Sequence, residues 1–141
     1  MKKRISRRKF IKTATVTGSA AAIVPKVLLS SQSNTQIRLG FIGTGLRGQW
    51  VLSLAIKYPE IVIPAICDID DRMINSALKI IKSSGRSEPK VYTKNDEDFR
   101  RMLSNENLDG VYIGTPWEWH HPMAIAAMES GVNVGVEVPA A

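Results

Sequence analysis

The chain has 141 residues, of which 44% are hydrophobic and 23% are charged, and its formal net charge is +6. This composition is typical of a globular protein and excludes a disordered or fibrous chain. Residues 1–35 carry eight basic side chains and no acidic one, whereas the other 106 residues carry 11 basic and 13 acidic side chains, a net charge of −2. Nucleic-acid binding needs a basic patch on the folded body, so we expect no nucleic-acid partner.

The first 35 residues have the order of regions found in an export signal. A cationic start is followed by a small, apolar run at residues 13–24 and then by a polar stretch, and residues 6–12 (SRRKFIK) resemble the twin-arginine motif of bacterial Tat signals. The apolar run is shorter than the roughly 20 residues of a membrane-spanning helix. We therefore predict export by the Tat machinery to the periplasm or cell envelope, without a permanent membrane span. A disordered basic arm is the alternative.

From residue 36 onward, apolar residues alternate between the spacing of strands and that of helices. Strands are predicted at residues 37–42, 61–67, 91–93, 110–113 and 132–138, and helices at residues 46–58, 71–82, 96–103 and 122–130. Pro64 weakens the second strand, because proline donates no hydrogen bond to a neighbouring strand. Cys67 is the only cysteine, which excludes an intrachain disulfide, and we expect it to be a small buried side chain. Five strands joined by four helices predict a parallel α/β sheet with right-handed crossovers.

The first predicted strand leads directly into a glycine-rich segment that opens the first helix. Gly43, Gly45 and Gly48 have the Gly-x-Gly-x-x-Gly spacing of dinucleotide-binding folds, in the strand-to-helix context that the motif requires. The first glycine permits a tight turn, the second lets a pyrophosphate approach the backbone, and the third allows close packing of helix and strand. The helix N-terminus supplies N–H donors. We therefore predict a Rossmann-type doubly wound sheet that binds a dinucleotide.

An acidic residue, Asp68, ends the second predicted strand, twenty residues after Gly48. At that position a carboxylate can accept a hydrogen bond from a ribose 2′-hydroxyl. Its alternative role is to cap the following helix, but Asp70 and Asp71 already meet that need. A carboxylate there repels a 2′-phosphate, which favours NAD as the cofactor. Arg47 keeps NADP open, because a nearby arginine can accept that phosphate.

A second cluster of functional side chains follows the strand at residues 110–113. It comprises Thr115, Trp117, Glu118, Trp119, His120 and His121, with Pro122 after them. The loop after this strand borders the nicotinamide half of the crevice. His120 is predicted to contact cofactor or substrate, with a structural histidine as the alternative. The alternatives for the other side chains are a hydrophobic lid formed by the tryptophans and helix capping by His121.

Two further interpretations concern a metal and the last predicted strand. Adjacent histidines diverge and a third ligand is not evident, so we predict no metal site. Glu137, near the end of the last strand, is interpreted either as a helix-facing carboxylate or as a cofactor neighbour.

Together these motifs resemble the Gfo/Idh/MocA oxidoreductase family and, within it, the NAD-dependent α-N-acetylgalactosaminidases of glycoside hydrolase family 109. The resemblance covers residues 37–141, including the glycine fingerprint, the Thr-Pro-Trp-Glu-Trp-His run at residues 115–120 and the Glu-Val-Pro ending at residues 137–139. Ordinary family members have Glu-Lys-Pro there, with the lysine at the substrate, whereas the glycosidase branch shares the non-lysine ending. The NAD contacts implied by the resemblance are Leu46, Arg47, Asp68, Trp117, Glu118, Trp119, His120, Glu137 and Val138.

The resemblance also implies a mechanism and a second domain. In the glycosidase branch NAD takes a hydride from carbon 3 of the sugar, elimination expels the group on carbon 1, water adds and the hydride returns. The net reaction is hydrolysis without net redox change, in contrast to enzymes that use two carboxylates. The family carries its substrate pocket on a C-terminal domain. We therefore expect residues 36–141 to be an NAD-binding domain truncated after the fifth strand, with an exposed sheet edge and no turnover alone.

The favoured function is the NAD-binding domain of an exported glycosidase whose substrate is a sugar or glycoside. One alternative is the N-terminal half of an NAD-dependent sugar or polyol dehydrogenase, and another is a noncatalytic nucleotide-binding fragment. The sequence leaves open which sugar is bound, whether the chain forms a homo-oligomer and where the signal is cleaved.

Overall fold

The computed structural model describes residues 36–139, so the predicted signal segment at residues 1–35 lies outside the described residues. The strands are β1 (Ile37–Ile42), β2 (Ile61–Val62), β3 (Ala65–Cys67), β4 (Lys90–Tyr92), β5 (Gly110–Ile113) and β6 (Asn133–Val136). The helices are α1 (Leu46–Ala55), α2 (Asp71–Ser83), α3 (Asp98–Asn105) and α4 (His120–Glu129), and a 3₁₀ turn at Trp117–Trp119 precedes α4. Within the described part of the chain, no helix is long and apolar enough to cross a membrane.

The strands are parallel and lie in the order β4-β3-β1-β5-β6, with β2 paired beside the start of β1. The chain starts at the central strand, moves outward to β4, and then returns to build β5 and β6 on the other side of β1. This is the doubly wound arrangement, which confirms the predicted fold class. The direction of winding reverses between β1 and β5, and ligands of such sheets bind beyond the carboxyl ends of the strands at that point.

Two hydrophobic clusters, one on each face of the sheet, hold the layers together. The cluster beneath α1 and α2 includes Phe41, Leu52, Ile66, Ile74 and Ile81, and the cluster beneath α3 and α4 includes Ile42, Phe99, Met102, Ile113 and Met123. Phe41 and Ile42 are consecutive in β1 yet belong to opposite clusters, because successive side chains of a strand point to opposite faces. Burial on both faces explains why the strands are apolar without alternation.

The sequence predicted one continuous strand at residues 61–67, and this prediction is wrong. The segment is interrupted at Ile63 and Pro64 and forms the separate strands β2 and β3. Pro64 has no N–H to donate, but its carbonyl accepts a hydrogen bond from the Lys90 N–H at 2.9 Å. The last strand is also shorter than predicted and ends at Val136, so Glu137 lies beyond the sheet.

Several predicted helix boundaries also change. Helix α3 covers Asp98–Asn105 rather than residues 96–103. Helix α1 ends at Ala55 rather than at residue 58. Helix α4 begins at His120, so His121 lies inside its first turn and the predicted capping role of His121 is wrong. In α2 the predicted cap is confirmed, because the Asp70 carboxylate accepts a hydrogen bond from the Arg72 N–H at 2.9 Å. Hydrogen bonds from Arg72 lower the pKa of Asp70 to about 2.

Candidate cofactor-binding site

The loop between β1 and α1 is shaped by close backbone contacts. Gly43 has a φ of +86°, a conformation that glycine adopts without strain, and a Cβ on it would lie 2.7 Å from the backbone of Gly114 and Thr115. A Cβ on Gly48 would lie 2.1 Å from the carbonyl oxygen of Gly43. The first turn of α1 therefore packs directly on the loop, and the loop packs on the segment after β5.

Gly45, in contrast, faces open space. Apart from Gly45 and its two neighbours in the chain, no residue has an atom within 4 Å of the position that a Cβ on it would occupy. Gly45 is the N-cap residue of α1, and the first N–H groups of a helix have no partners within the helix. These donors and the helix dipole favour an anion at this position. The open space over Gly45 therefore fits a pyrophosphate that approaches the backbone closely.

The Asp68 carboxylate is hydrogen-bonded to this same loop. Its Oδ2 accepts hydrogen bonds from the Thr44 N–H at 2.6 Å and from the Thr44 hydroxyl at 3.0 Å. Its Oδ1 accepts a hydrogen bond from the Asp70 N–H at 2.9 Å. The sequence predicted Asp68 but missed Thr44, because the fingerprint allows any residue at that position. The sequence feature that could have indicated Thr44 is its hydroxyl group, directly after the first glycine of the fingerprint.

A cavity of about 290 Å³ lies beyond the carboxyl ends of β1, β3 and β5. The predicted site residues that line it are Gly43, Gly45, Asp68, Thr115 and Trp119. The lining residues that sequence reasoning missed include Ile69, Met73, Asn95, Asp96 and Met123. Asn95 and Asp96 follow β4, so the rule that ligands bind beyond the carboxyl ends of strands would have indicated them. A mainly apolar lining with a few polar groups is typical of a small-molecule site.

Cys67 lines the same cavity from the end of β3. The residue is only 5% exposed, and burial raises the pKa of its thiol to about 12. The thiol therefore stays protonated near neutral pH. The prediction of a small buried side chain is confirmed.

The tryptophans of the loop after β5 lie in different environments. Trp119 packs edge-on against Phe99, with ring centroids 6.5 Å apart, and it also lines the cavity. Trp117 is 68% exposed, and Glu118 between them is exposed as well. Of the two tryptophans for which a hydrophobic lid was the alternative, only Trp119 packs against the protein, since Trp117 lies mostly in solvent.

His120 is buried at the start of α4. Its Nδ1 lies 2.7 Å from the carbonyl oxygen of Pro139, and its Nε2 lies 2.8 Å from the carbonyl oxygen of Thr115. Both ring nitrogens are therefore engaged by the backbone of the two segments that follow β5 and β6. This geometry fits the structural role that the sequence gave as the alternative to a direct contact.

A second group of predicted residues lies on the β6 side of the glycine loop. The Glu137 Oε1 accepts hydrogen bonds from the Arg47 Nε at 2.8 Å and from the Tyr112 hydroxyl at 2.7 Å. The Arg47 guanidinium also lies 4.4 Å from the centroid of the Trp50 ring. Leu46 and Val138, near this group, are exposed apolar side chains.

The hydrogen bonds in this second group change the pKa values of Glu137 and Tyr112. The hydrogen bond from Arg47, followed by that from Tyr112, lowers the pKa of Glu137. Burial and the hydrogen bond to Glu137 raise the pKa of Tyr112 to about 12. Glu137 is thus ionised and Tyr112 is neutral at physiological pH, which preserves both hydrogen bonds.

Several of the predicted residues therefore fall into two groups, one that lines the cavity and one that surrounds Glu137. The cavity group consists of Gly43, Gly45, Asp68, Thr115 and Trp119. The Glu137 group consists of Arg47, Tyr112 and Glu137. Because β3 and β6 lie on opposite sides of β1, the hydrogen bond to Glu137 directs Arg47 away from Asp68.

Comparison with curated proteins shows which proteins this chain is similar to in sequence. An α-N-acetylgalactosaminidase of Tannerella forsythia is 40% identical, covering 96% of this chain and 33% of that protein. A glycosyl hydrolase family 109 protein of Saccharopolyspora erythraea is 39% identical, covering 77% of this chain and 24% of that protein. The chain thus spans about a quarter to a third of the length of these curated relatives.

Solved structures have the same arrangement of strands and helices. A dehydrogenase of Chromobacterium violaceum matches with a TM-score of 0.62 and 31% identity, over 75% of this chain and 29% of that one. A myo-inositol dehydrogenase of Lactobacillus casei, solved with NAD(H) and myo-inositol, has a TM-score of 0.62 over the same shares of the two chains. Its identity of 22% shows the fold alone.

The comparison with family models covers nearly the whole described body. The model that matches residues 37–141 is described as an oxidoreductase family with an NAD-binding Rossmann fold. The match includes the glycine loop, the end of β3 and both segments that His120 joins. The chain therefore belongs to the Gfo/Idh/MocA oxidoreductase family, and residues 37–141 are its NAD-binding Rossmann domain.

Proposed function

We propose that this chain binds NAD in the cavity and provides the cofactor domain of an exported glycosidase that acts on α-N-acetylgalactosaminides. The observation that carries the binding proposal is the combination of open space over Gly45 with a fixed carboxylate at Asp68. The first fits a pyrophosphate and the second fits a ribose hydroxyl. The glycosidase part is supported by the similarity to the Tannerella forsythia α-N-acetylgalactosaminidase across nearly the whole chain.

The charges around the cavity favour NAD over NADP. Asp68 and Asp96 both line the cavity, and their carboxylates would repel the 2′-phosphate of NADP. Arg47 was the reason to keep NADP open, but its Nε donates to Glu137 on the other side of β1. A 2′-phosphate beside Asp68 would therefore be repelled by the carboxylates of Asp68 and Asp96, and Arg47 would not neutralise its charge.

The residues of this chain would bind and orient the cofactor. The N–H groups at the start of α1 would hold the pyrophosphate, and Asp68 would accept a hydrogen bond from the ribose. Met73, Trp119 and Met123 line the cavity and would exclude water from it. When bound, NAD supplies a hydride acceptor and donor for the sugar.

Val138 distinguishes this proposal from that of an ordinary dehydrogenase. The side chain is 87% exposed just beyond β6, and it carries no ionisable group. The chain therefore brings no ammonium to the position at which ordinary members of the family have a lysine. Redox-neutral hydrolysis, as in the glycosidase branch, is consistent with this substitution.

Cofactor binding is tested by calorimetric titration of the chain with NAD and, separately, with NADP. We expect saturable binding of NAD that is at least about tenfold tighter than binding of NADP, which corresponds to about 1.4 kcal/mol. Equal affinities would contradict the role proposed for the carboxylates. Failure of NAD to bind would overturn the proposed function.

The activity is tested on the protein isolated from its native cells, with an aryl α-N-acetylgalactosaminide as substrate. We expect release of the aryl alcohol that stops when NAD is removed, resumes when NAD is added, and produces no net NADH. Net NADH formation would instead support a sugar or polyol dehydrogenase. That second candidate is favoured by the 31% identity to the Chromobacterium violaceum dehydrogenase.

We also propose that residues 1–35 direct export by the Tat pathway. The support is the twin-arginine motif at Arg7 and Arg8, followed by a short apolar run. Replacing both arginines by lysine should leave the protein in the cytoplasm, whereas the unchanged chain should reach the periplasm or cell envelope. Cell fractionation with an antibody distinguishes the two outcomes, and equal export of both chains would contradict the proposal.

A further inference from the structure

We infer that Thr44 is a positioning residue that sets the preference for NAD over NADP by fixing the carboxylate of Asp68. The inference rests on the proposed binding of NAD and concerns a position at which the glycine fingerprint allows any residue. Thr44 would act through Asp68, without contact between its hydroxyl and the cofactor.

The polar groups of Thr44 are all used within the protein. Its N–H and its hydroxyl both donate to the Asp68 Oδ2, at 2.6 Å and 3.0 Å. Its carbonyl oxygen accepts a hydrogen bond from the Gln49 side chain at 2.8 Å. The residue is 1% exposed, so the hydroxyl is held in a closed environment. Thr44 is thereby fixed to both β3 and α1.

These hydrogen bonds determine what Asp68 can offer to a ligand. A carboxylate has about four acceptor positions on its two oxygens. Both hydrogen bonds from Thr44 end on Oδ2, and Asp70 donates to Oδ1. About one acceptor position therefore remains, and it belongs to Oδ1. A ribose hydroxyl would meet a single acceptor whose direction is already set.

Any residue at position 44 except proline would keep the N–H donor, whereas the hydroxyl donor requires threonine or serine. Three donors hold the Asp68 carboxyl group when the Thr44 hydroxyl is present. Without that hydroxyl, the Thr44 N–H on Oδ2 and the Asp70 N–H on Oδ1 remain, and the carboxyl group is held less tightly. A fixed anionic acceptor binds a hydroxyl well and repels a phosphate strongly. A freer carboxyl group can turn away from a phosphate. Loss of the Thr44 hydroxyl should therefore weaken NAD binding without weakening NADP binding.

The test compares Thr44→Val, which removes the hydroxyl but keeps a branched side chain, with Thr44→Ser, which keeps the hydroxyl. Calorimetry with NAD and with NADP gives the ratio of the two affinities for each chain. We expect Thr44→Val to weaken NAD binding about tenfold, the upper end of the cost of immobilising one freer side chain on binding. NADP affinity should stay constant or increase, and Thr44→Ser should restore the ratio.

A matched control is Thr93→Val, which removes the hydroxyl of a half-buried threonine just after β4. It should leave the affinity ratio unchanged. If Thr44→Val does not fold, Thr44→Ala removes the same hydroxyl without adding volume, and the same change in ratio is expected. Thermal unfolding of every variant shows which chains are folded.

The outcomes separate this inference from the proposed function. A purely structural role predicts that Thr44→Val lowers the Tm and changes both affinities by the same factor, which would overturn the inference. An unchanged ratio in a chain that binds NAD would also overturn it, while the proposed function would stand. If the unsubstituted chain does not bind NAD, both are overturned.

Discussion

Asp68 of the cavity group and Glu137 lie on either side of the glycine loop, beyond β3 and β6, but differ in how firmly they are held. Asp68 receives three hydrogen bonds, and its partner Thr44 is buried. In the Glu137 group, the Arg47 side chain is 55% exposed and the Glu137 side chain is 24% exposed. Exposed ion pairs are screened by water and salt. The chain thus presents a pre-formed acceptor on one side and an adaptable ion pair on the other.

The largest expected effect is that of Gly48→Ala on stability. The added Cβ would lie 2.1 Å from the carbonyl oxygen of Gly43, so α1 would have to move away from the loop that shapes the cavity. Overpacking costs about 1–3 kcal/mol, and an overlap this close with backbone belongs at the upper end of that range. We expect a large decrease in the free energy of unfolding, measured by urea denaturation. A stability equal to that of the unsubstituted chain would contradict the close packing of α1 on the loop.

Gly45→Ala is the matched control, because it adds the same atom three residues earlier, at the N-cap of the same helix. Apart from Gly45 and its two neighbours in the chain, no residue has an atom within 4 Å of this Cβ, so the free energy of unfolding should change little. The Cβ would instead enter the space assigned to the pyrophosphate, and NAD affinity should decrease. A variant that is as stable as the original and still binds NAD equally well would show that the cofactor does not approach Gly45.

A smaller effect is expected for Asp68→Ala, which removes the fixed acceptor of the cavity group. NAD binding should weaken by about 1–3 kcal/mol, the range for loss of a hydrogen-bond partner at a largely desolvated site. Calorimetry measures the change, and Asp71→Ala, an exposed acid in the first turn of α2, is the control that should leave affinity unchanged. Equal affinity of Asp68→Ala and the original chain would rule out the ribose role.

The fold could be predicted because its signals are local. A continuous apolar strand, a glycine turn and an amphipathic helix each appear within a short window, and the parallel order of strands follows from their alternation with helices. Pro64 shows the limit of this reasoning. It was recognised as a weak point, but pattern alone does not decide whether a proline distorts a strand or divides it. That outcome depends on the carbonyl of Pro64 pairing with Lys90 across the sheet.

The site was predicted less completely, because its decisive contacts join distant residues. The sequence indicated Asp68 and Glu137 separately, but it did not show that Thr44 holds the first or that Tyr112 and Arg47 hold the second. Arg47 illustrates the consequence. Its place in the glycine fingerprint suggested a phosphate contact, whereas its direction is set by a carboxylate that lies 90 residues away in the chain.

The smallest expected effect is that of Glu137→Gln, which keeps the shape of the side chain and removes its charge. The pKa of Glu137 is lowered, so its stabilising contribution is complete above the pKa of an ordinary glutamate, about 4.3, and is lost as the pH falls through the lowered value. The original chain should therefore have a slightly higher Tm than Glu137→Gln near pH 7, and the difference should shrink at high salt and as the pH falls through the lowered pKa of Glu137. Equal Tm values at every pH and salt concentration would show that Glu137 is held by packing rather than by charge, because glutamine keeps the shape of the side chain. The two sides of the glycine loop would then be equally rigid, since an exposed ion pair responds to both conditions and a packed side chain responds to neither.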